Sequence, residues 1–125
     1  MKNVKIYSIG HCDTSSRKGR YEALLEYNEN RKYLIKEVND TTANRCIIIG
    51  LIDSVSSLKE PCAIELITTT KIGLRGLSKG KGPNVDLLKK LMDTIQEKGC
   101  EFEFVELEGK GAEINAKIQS YSSAN

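Results

Sequence analysis

One histidine, no closely spaced cysteines and no long apolar run set the first limits on this 125-residue chain. His11 cannot complete a zinc set of ordinary spacing, because Cys12, Cys46, Cys62 and Cys100 lie far apart and form no C-x-x-C pair. No apolar stretch approaches the ~20 residues of a membrane span, so no membrane partner is expected. Met1 to Ile9 carries two lysines and only short apolar pieces, which argues against a signal peptide. Four reduced thiols then point to the cytoplasm. An excess of either charge is also missing: 19 basic and 17 acidic side chains leave a net +2. Any contact with nucleic acid would be weak and would come from a local patch, not a global field.

What is present is ordinary for a globular chain. The apolar fraction is 39% and the charged fraction 29%, enough for one core and too apolar for a disordered segment. No repeat or linker is visible. The expected division is a single domain over 1–121 with a frayed tail over 122–125.

Val4 to Ile9 alternates as a strand ending at Gly10, and His11 to Arg20 reads as a polar loop. Tyr21 to Tyr27 and Lys32 to Val38 form a hairpin around Asn28-Glu29-Asn30-Arg31. Thr41 to Leu58 is the clearest helix. Thr41 or Thr42 caps it, Ile47, Ile48, Leu51, Ile52, Val55 and Leu58 share one face, and Pro61 stops it. Ala63 to Thr68 follows as a strand, Lys71 to Leu77 as a short helix, and Ser78 to Asn84 as a Gly/Lys-rich loop. Val85 to Lys98 is amphipathic and closed by Gly99, Cys100 to Leu107 alternates again, and Ala112 to Tyr121 forms a last helix. Strands joined partly by hairpins and partly through helices imply an α/β fold with a mixed sheet.

This order and three collinear motifs resemble the type 1 ribonuclease H family. Tyr7-Ser8-Ile9-Gly10-His11-Cys12, then Gly19 and Tyr21-Glu22-Ala23-Leu24-Leu25, is similar to the family's Y-T-D-G-x-C and Y-G-A-I-L. Thr42-Ala43-Asn44-Arg45-Cys46-Ile47-Ile48 resembles T-N-N-R-M-E-L, with Lys59-Glu60-Pro61 in place of its K-x-P turn. Leu66-Ile67-Thr68-Thr69-Thr70 resembles L-Y-T-D-S, and Gly76-Leu77 the family's G-I. Val105 and Glu113 match more weakly. The resemblance implies a ribonuclease H-like fold: a five-stranded mixed sheet flanked by helices.

In that family four carboxylates hold two magnesium ions about 4 Å apart, which activate water against a phosphodiester. Carried over singly, the first Asp falls on Ile9, the helix Glu on Ile47, the fourth-strand Asp on Thr69 and the final-helix Asp on Ala116. Leu107-Glu108 stands where the family has its histidine loop. Magnesium needs oxygen ligands, so the expectation is no metal, no cofactor, no catalytic residue and a chain that is not an enzyme. His11-Cys12-Asp13 suggests a nucleophile or metal site, but adjacent side chains diverge. Asp13, Asp53, Glu106, Glu108 and Glu113 could rebuild a displaced metal site only by rewiring, since none falls on a family ligand position.

Thr42 and Asn44 are where the resemblance implies contact with a nucleic-acid backbone, although Ala43 replaces half of the asparagine pair. Arg45 reads as a solvated first-turn residue or a further contact. Arg17, Lys18 and Arg20 form one basic cluster and Lys79 and Lys81 another. Glu106 and Glu108 oppose a phosphate backbone. The leading expectation is a domain that acts by binding an unidentified protein partner. The first alternative is a module for RNA–DNA hybrid or duplex, and the second a nuclease with rewired ligands.

Overall fold

The computed structural model describes residues 1–122. Five strands, β1 (Lys2–Cys12), β2 (Gly19–Tyr27), β3 (Asn30–Val38), β4 (Cys62–Thr68) and β5 (Glu101–Glu106), alternate with α1 (Ala43–Ser56), α2 (Leu74–Leu77), α3 (Val85–Glu97) and α4 (Gly111–Ser122). The sheet order is β3-β2-β1-β4-β5. β1 and β2, and β2 and β3, pair antiparallel, whereas β1 and β4, and β4 and β5, are parallel. This is the expected mixed sheet with β1 at its centre. Of the expected tail 122–125, Ser122 closes α4 and the remainder lies outside the described residues.

The largest departure is at the first hairpin. β1 does not stop at Gly10 but continues to Cys12, and the ladder closes only at Cys12 opposite Gly19. Backbone pairing needs no apolar side chains, so the polar composition of this stretch concealed it. The loop is reduced to residues 13–18. There Asp13 accepts hydrogen bonds from the Ser15 and Ser16 amides, at 2.9 and 3.2 Å, and Arg17 takes a left-handed φ of 59°.

α1 packs on one face of the sheet beside α3. Ile6, Ile48, Leu51, Leu66, Leu91 and Ile95 make the centre of that core and are almost wholly buried. Thr42 caps α1 as expected, its Oγ1 accepting from the Arg45 amide at 3.2 Å. Gly99, with φ of 67°, ends α3. Two glycines allow α1 to lie close on the strands. A Cβ on Gly10 would collide with the Ala43 carbonyl, and one on Gly50 would meet Ser8 Oγ and, at 3.0 Å, the Tyr21 ring. In the space so kept, the buried Ser8 hydroxyl donates to the Ile47 carbonyl at 2.9 Å.

α4 covers the opposite face through Ile114 and Ile118, against Tyr7, Ile9, Leu24 and Ile67. Two carboxylates are buried with them. Glu22 accepts from the Tyr33 hydroxyl at 2.6 Å and from the Gln119 amide at 2.8 Å. Glu26 pairs with Arg31 at 2.9 Å and Lys117 at 3.2 Å. Burial alone would push both carboxyls up. For Glu22 the hydrogen bonds from Tyr33 and Gln119 outweigh it, and for Glu26 the bond and charge of Lys117 do, so each is held below the usual 4.5. The Tyr33 hydroxyl is pushed up to about 12, first by burial and then by its bond to Glu22. No helix among the described residues is long and apolar enough to cross a membrane.

Two outcomes test this packing. Gly→Ala inside a helix normally gains about 0.5–1 kcal/mol, but at Gly50 overpacking should cost about 1–3 kcal/mol. Gly50→Ala should therefore unfold at lower urea than the parent; a rise in midpoint would contradict the close approach. The second outcome concerns acid. Folding keeps Glu22 and Glu26 ionised, so their stabilisation is complete above the unfolded value of 4.5 and is lost as the pH falls through their lower folded values. Urea midpoints measured from about pH 7 down to about pH 3 should fall mainly below about pH 4.5. The fall should be shallower in the Glu22→Gln/Glu26→Gln variant.

Candidate functional site

The carboxyl ends of β1 and β4, the first turn of α1 and the start of α4 meet along one side of the molecule. Two grooves run there and share Gly10, His11 and Ala43. The first, of 490 Å³, is bordered by Lys18, Arg20, Glu37 and Asn39. The second, of 350 Å³, is bordered by Ile9, Asn44, Ile47, Thr69, Thr70 and, from α4, Ala112 and Asn115. Both grooves flank the ends of the strands, on either side of the three shared residues. Gly10 sets their floor, because only the absence of a Cβ there lets α1 descend onto β1.

The structure brings Ile9, Ile47 and Thr69 to the second groove, where the family resemblance placed carboxylates. Ile9 also packs with Ile114 and Ile118, and Ile47 belongs to the main core. Ala116 is exposed and does not line the groove; one turn earlier, Ala112 does, with Asn115 beside it. Ala112 and Ala116 share one side of the helix, away from the buried Ile114 and Ile118, and differ in height: Ala116 lies one turn farther along α4 from the strand ends.

The polar candidates separate clearly. Asn44 lines the groove, and its Oδ1 accepts from Thr70 Oγ1 at 3.3 Å. Thr42 is engaged as the helix cap. Arg45, half-buried, lines neither groove: its guanidinium forks onto Asp86 at 3.0 and 3.1 Å and reaches Asn84 at 3.3 Å, tying α1 to α3. The bond to Asp86 raises its pKa further and lowers that of Asp86. Lys18 and Arg20 border the first groove, Arg17 pairs with Asp40 at 2.8 Å, and Lys79 and Lys81 are exposed and line neither groove.

His11-Cys12-Asp13 does not converge. Cys12 Sγ donates to the Thr41 carbonyl at 3.3 Å, and Asp13 is spent on the turn, its carboxyl held below the usual range by the Ser15 hydroxyl and the two serine amides. Glu106 accepts from the Ile72 amide at 3.1 Å and Glu108 lies 3.6 Å from Lys71. What sequence reading missed is Glu22, buried to 3% exposure and 3.7 Å from His11. A signal was present, because Glu22, Leu24 and Glu26 share strand parity and so one face.

The oxygen donors of the second groove, Asn44, Thr69, Thr70 and Asn115, are neutral. Among the described residues no group of three or more His, Cys, Asp or Glu is placed to hold a metal ion. Such a donor set does not fit a pair of magnesium ions, which take carboxylate oxygens.

No family model matches the chain. It is similar to curated proteins named ribonuclease H. That of Psychromonas ingrahamii is 34% identical over 113 residues, covering 78% of this chain and 73% of the relative. Those of Novosphingobium aromaticivorans and Mesorhizobium japonicum are 35% and 36% identical over 79 and 78 residues, covering 63% and 62% of this chain and 55% and 44% of the relatives. The chain thus spans about half the length of these last two. The expectation that the chain is not an enzyme is overturned by these relatives, which carry the name of an enzyme. That expectation equated the residue types at four positions with the activity of the whole domain, and one of the four, Ala116, does not border the groove.

The placement of α4 along the groove is open to a direct test. Ile9→Asp, Ile47→Glu, Thr69→Asp and Ala112→Asp together should create a magnesium site, with a melting temperature lowered in chelator and raised by magnesium through binding linkage. Ala116→Asp in place of Ala112→Asp should give a smaller magnesium response; an equal response would contradict the placement.

Proposed function

The chain belongs to the ribonuclease H family, and on that footing we propose that its cleft binds the sugar–phosphate backbone of an RNA–DNA hybrid. The observation that carries this reading is the pair of adjoining grooves at the carboxyl ends of β1 and β4. In open α/β sheets ligands bind outside the carboxyl ends of strands, where successive connections leave in different directions. Here β1 turns back into β2 while β4 departs toward α2. Lys18 and Arg20 supply cations at one end, and Asn44, Thr70 and Asn115 supply neutral donors at the other. Phosphates want the first, and sugar hydroxyls want the second.

A protein partner has less support. The large exposed apolar side chains Ile35 and Phe102 lie on opposite edge strands, so they do not add up to one patch. Four free thiols are consistent with a cytoplasmic setting for the hybrid-binding role.

Fluorescence anisotropy with a labelled RNA–DNA hybrid tests the proposal, and a denaturing gel of the same samples reads strand scission. Affinity should fall with salt, and Lys18→Ala/Arg20→Ala should weaken binding and reduce the log–log salt slope by about two, one for each lost phosphate contact. A slope unchanged by the double substitution would place the duplex elsewhere, and no retention of hybrid at low salt would refute the reading.

A further inference from the structure

His11 is the chain's one histidine, and it stands where the two grooves join. Its side chain is 42% exposed, yet its Nε2 is buried and has no hydrogen-bond partner. That atom faces Glu22 Oε1 at 3.7 Å. Glu22 is divided between its two oxygens. Oε2 takes the Tyr33 hydroxyl and the Gln119 amide, while Oε1 is approached by His11 and, at 3.5 Å, by Arg20 Nε. Nε2 is thus turned inward, while the remainder of the half-exposed ring lines both grooves.

We infer that His11 and Arg20, backed by the buried Glu22, form a subsite for one phosphodiester group of the nucleic-acid backbone. The inference rests on the hybrid-binding reading and adds the residues that make the contact. Charge arithmetic favours it. A protonated His11 and Arg20 face one carboxylate whose second oxygen is already spent, so these three side chains together carry one net positive charge toward a phosphate. Glu22 Oε1 places a negative charge 3.7 Å behind the ring, the position a carboxylate commonly takes behind a histidine. The other charged groups around the ring are Asp13 on the following turn, occupied by Ser15 and Ser16, and Lys18 and Glu37, which border the first groove. Tyr33 presents a hydroxyl committed to Glu22. The residues that α1 and α4 bring to the second groove, Ala43, Asn44, Ile47, Gly111, Ala112 and Asn115, are all neutral. A phosphate contact made by His11 therefore strengthens as the imidazole takes up its proton.

Two measurements test it, one with nucleic acid and one without. Hybrid affinity at constant ionic strength should rise on the order of tenfold from about pH 8 to about pH 5.5, the gain of a charge-assisted bond to phosphate. His11→Gln should flatten that profile, and an equally steep profile in His11→Gln would overturn the subsite. Separately, the ring protons of the lone histidine give a clean NMR titration. Inorganic phosphate should move its midpoint to higher pH in the parent protein. A midpoint that phosphate leaves in place overturns the subsite, even if hybrid binds. Failure to bind hybrid at any pH, with the phosphate-induced shift present, overturns the hybrid reading and leaves an anion subsite standing.

Discussion

The close seating of α1 on β1 is the constraint on which the rest of this molecule depends. Gly10 and Gly50 remove the two Cβ atoms that would hold the helix away, and the Ser8 hydroxyl satisfies a carbonyl inside the contact. Burying that hydroxyl without a partner would cost more than the bond itself returns. Because the helix sits so low, its first turn reaches the end of β1, and the groove between them has peptide groups and small side chains for its floor. A bulkier residue at Gly10, which lines both grooves, would push against the first turn of α1 and intrude on that floor.

The opposite face of the sheet is built on another principle. α4 has few apolar residues, and its hold on the strands combines Ile114 and Ile118 with ionised groups from β2, Glu22 and Glu26. Buried carboxylates are tolerated only where hydrogen bonds and cations outweigh desolvation, and Tyr33, Gln119, Arg31 and Lys117 meet that condition. The arrangement ties the docking of α4 to the same carboxylate that stands behind His11. Structural support and the chemistry of the cleft thus share one side chain.

Family membership and the donor set of the cleft answer different questions. Identity spread over most of the chain reflects a common fold and common positions for backbone and core. The donors at the strand ends are a handful of side chains, and their chemistry depends on which residues the helices rotate into place. Reading activity from residue types at transferred positions fails where a transferred position, such as Ala116, does not border the groove. Fold carries a family further than it carries a mechanism.

The sequence by itself determined the order of the nine elements, the apolar face of α1, its Thr42 cap and the Gly99 stop of α3. These are local properties: side-chain period, capping hydroxyls and a left-handed glycine act within a turn or two of chain. Only the tertiary structure decided that β1 runs on to Cys12, because a ladder is a relation between two strands and polar residues can carry it. The same holds for Arg45, which looks solvated along the chain until α3 brings Asp86 to it from 41 residues away. It holds for the phase of α4, where two isoleucines choose the buried side only once the sheet is present. His11 and Glu22 are eleven residues apart and meet because β1 and β2 pair in one register, with His11 opposite Arg20. A slip by one residue would send those side chains to opposite faces.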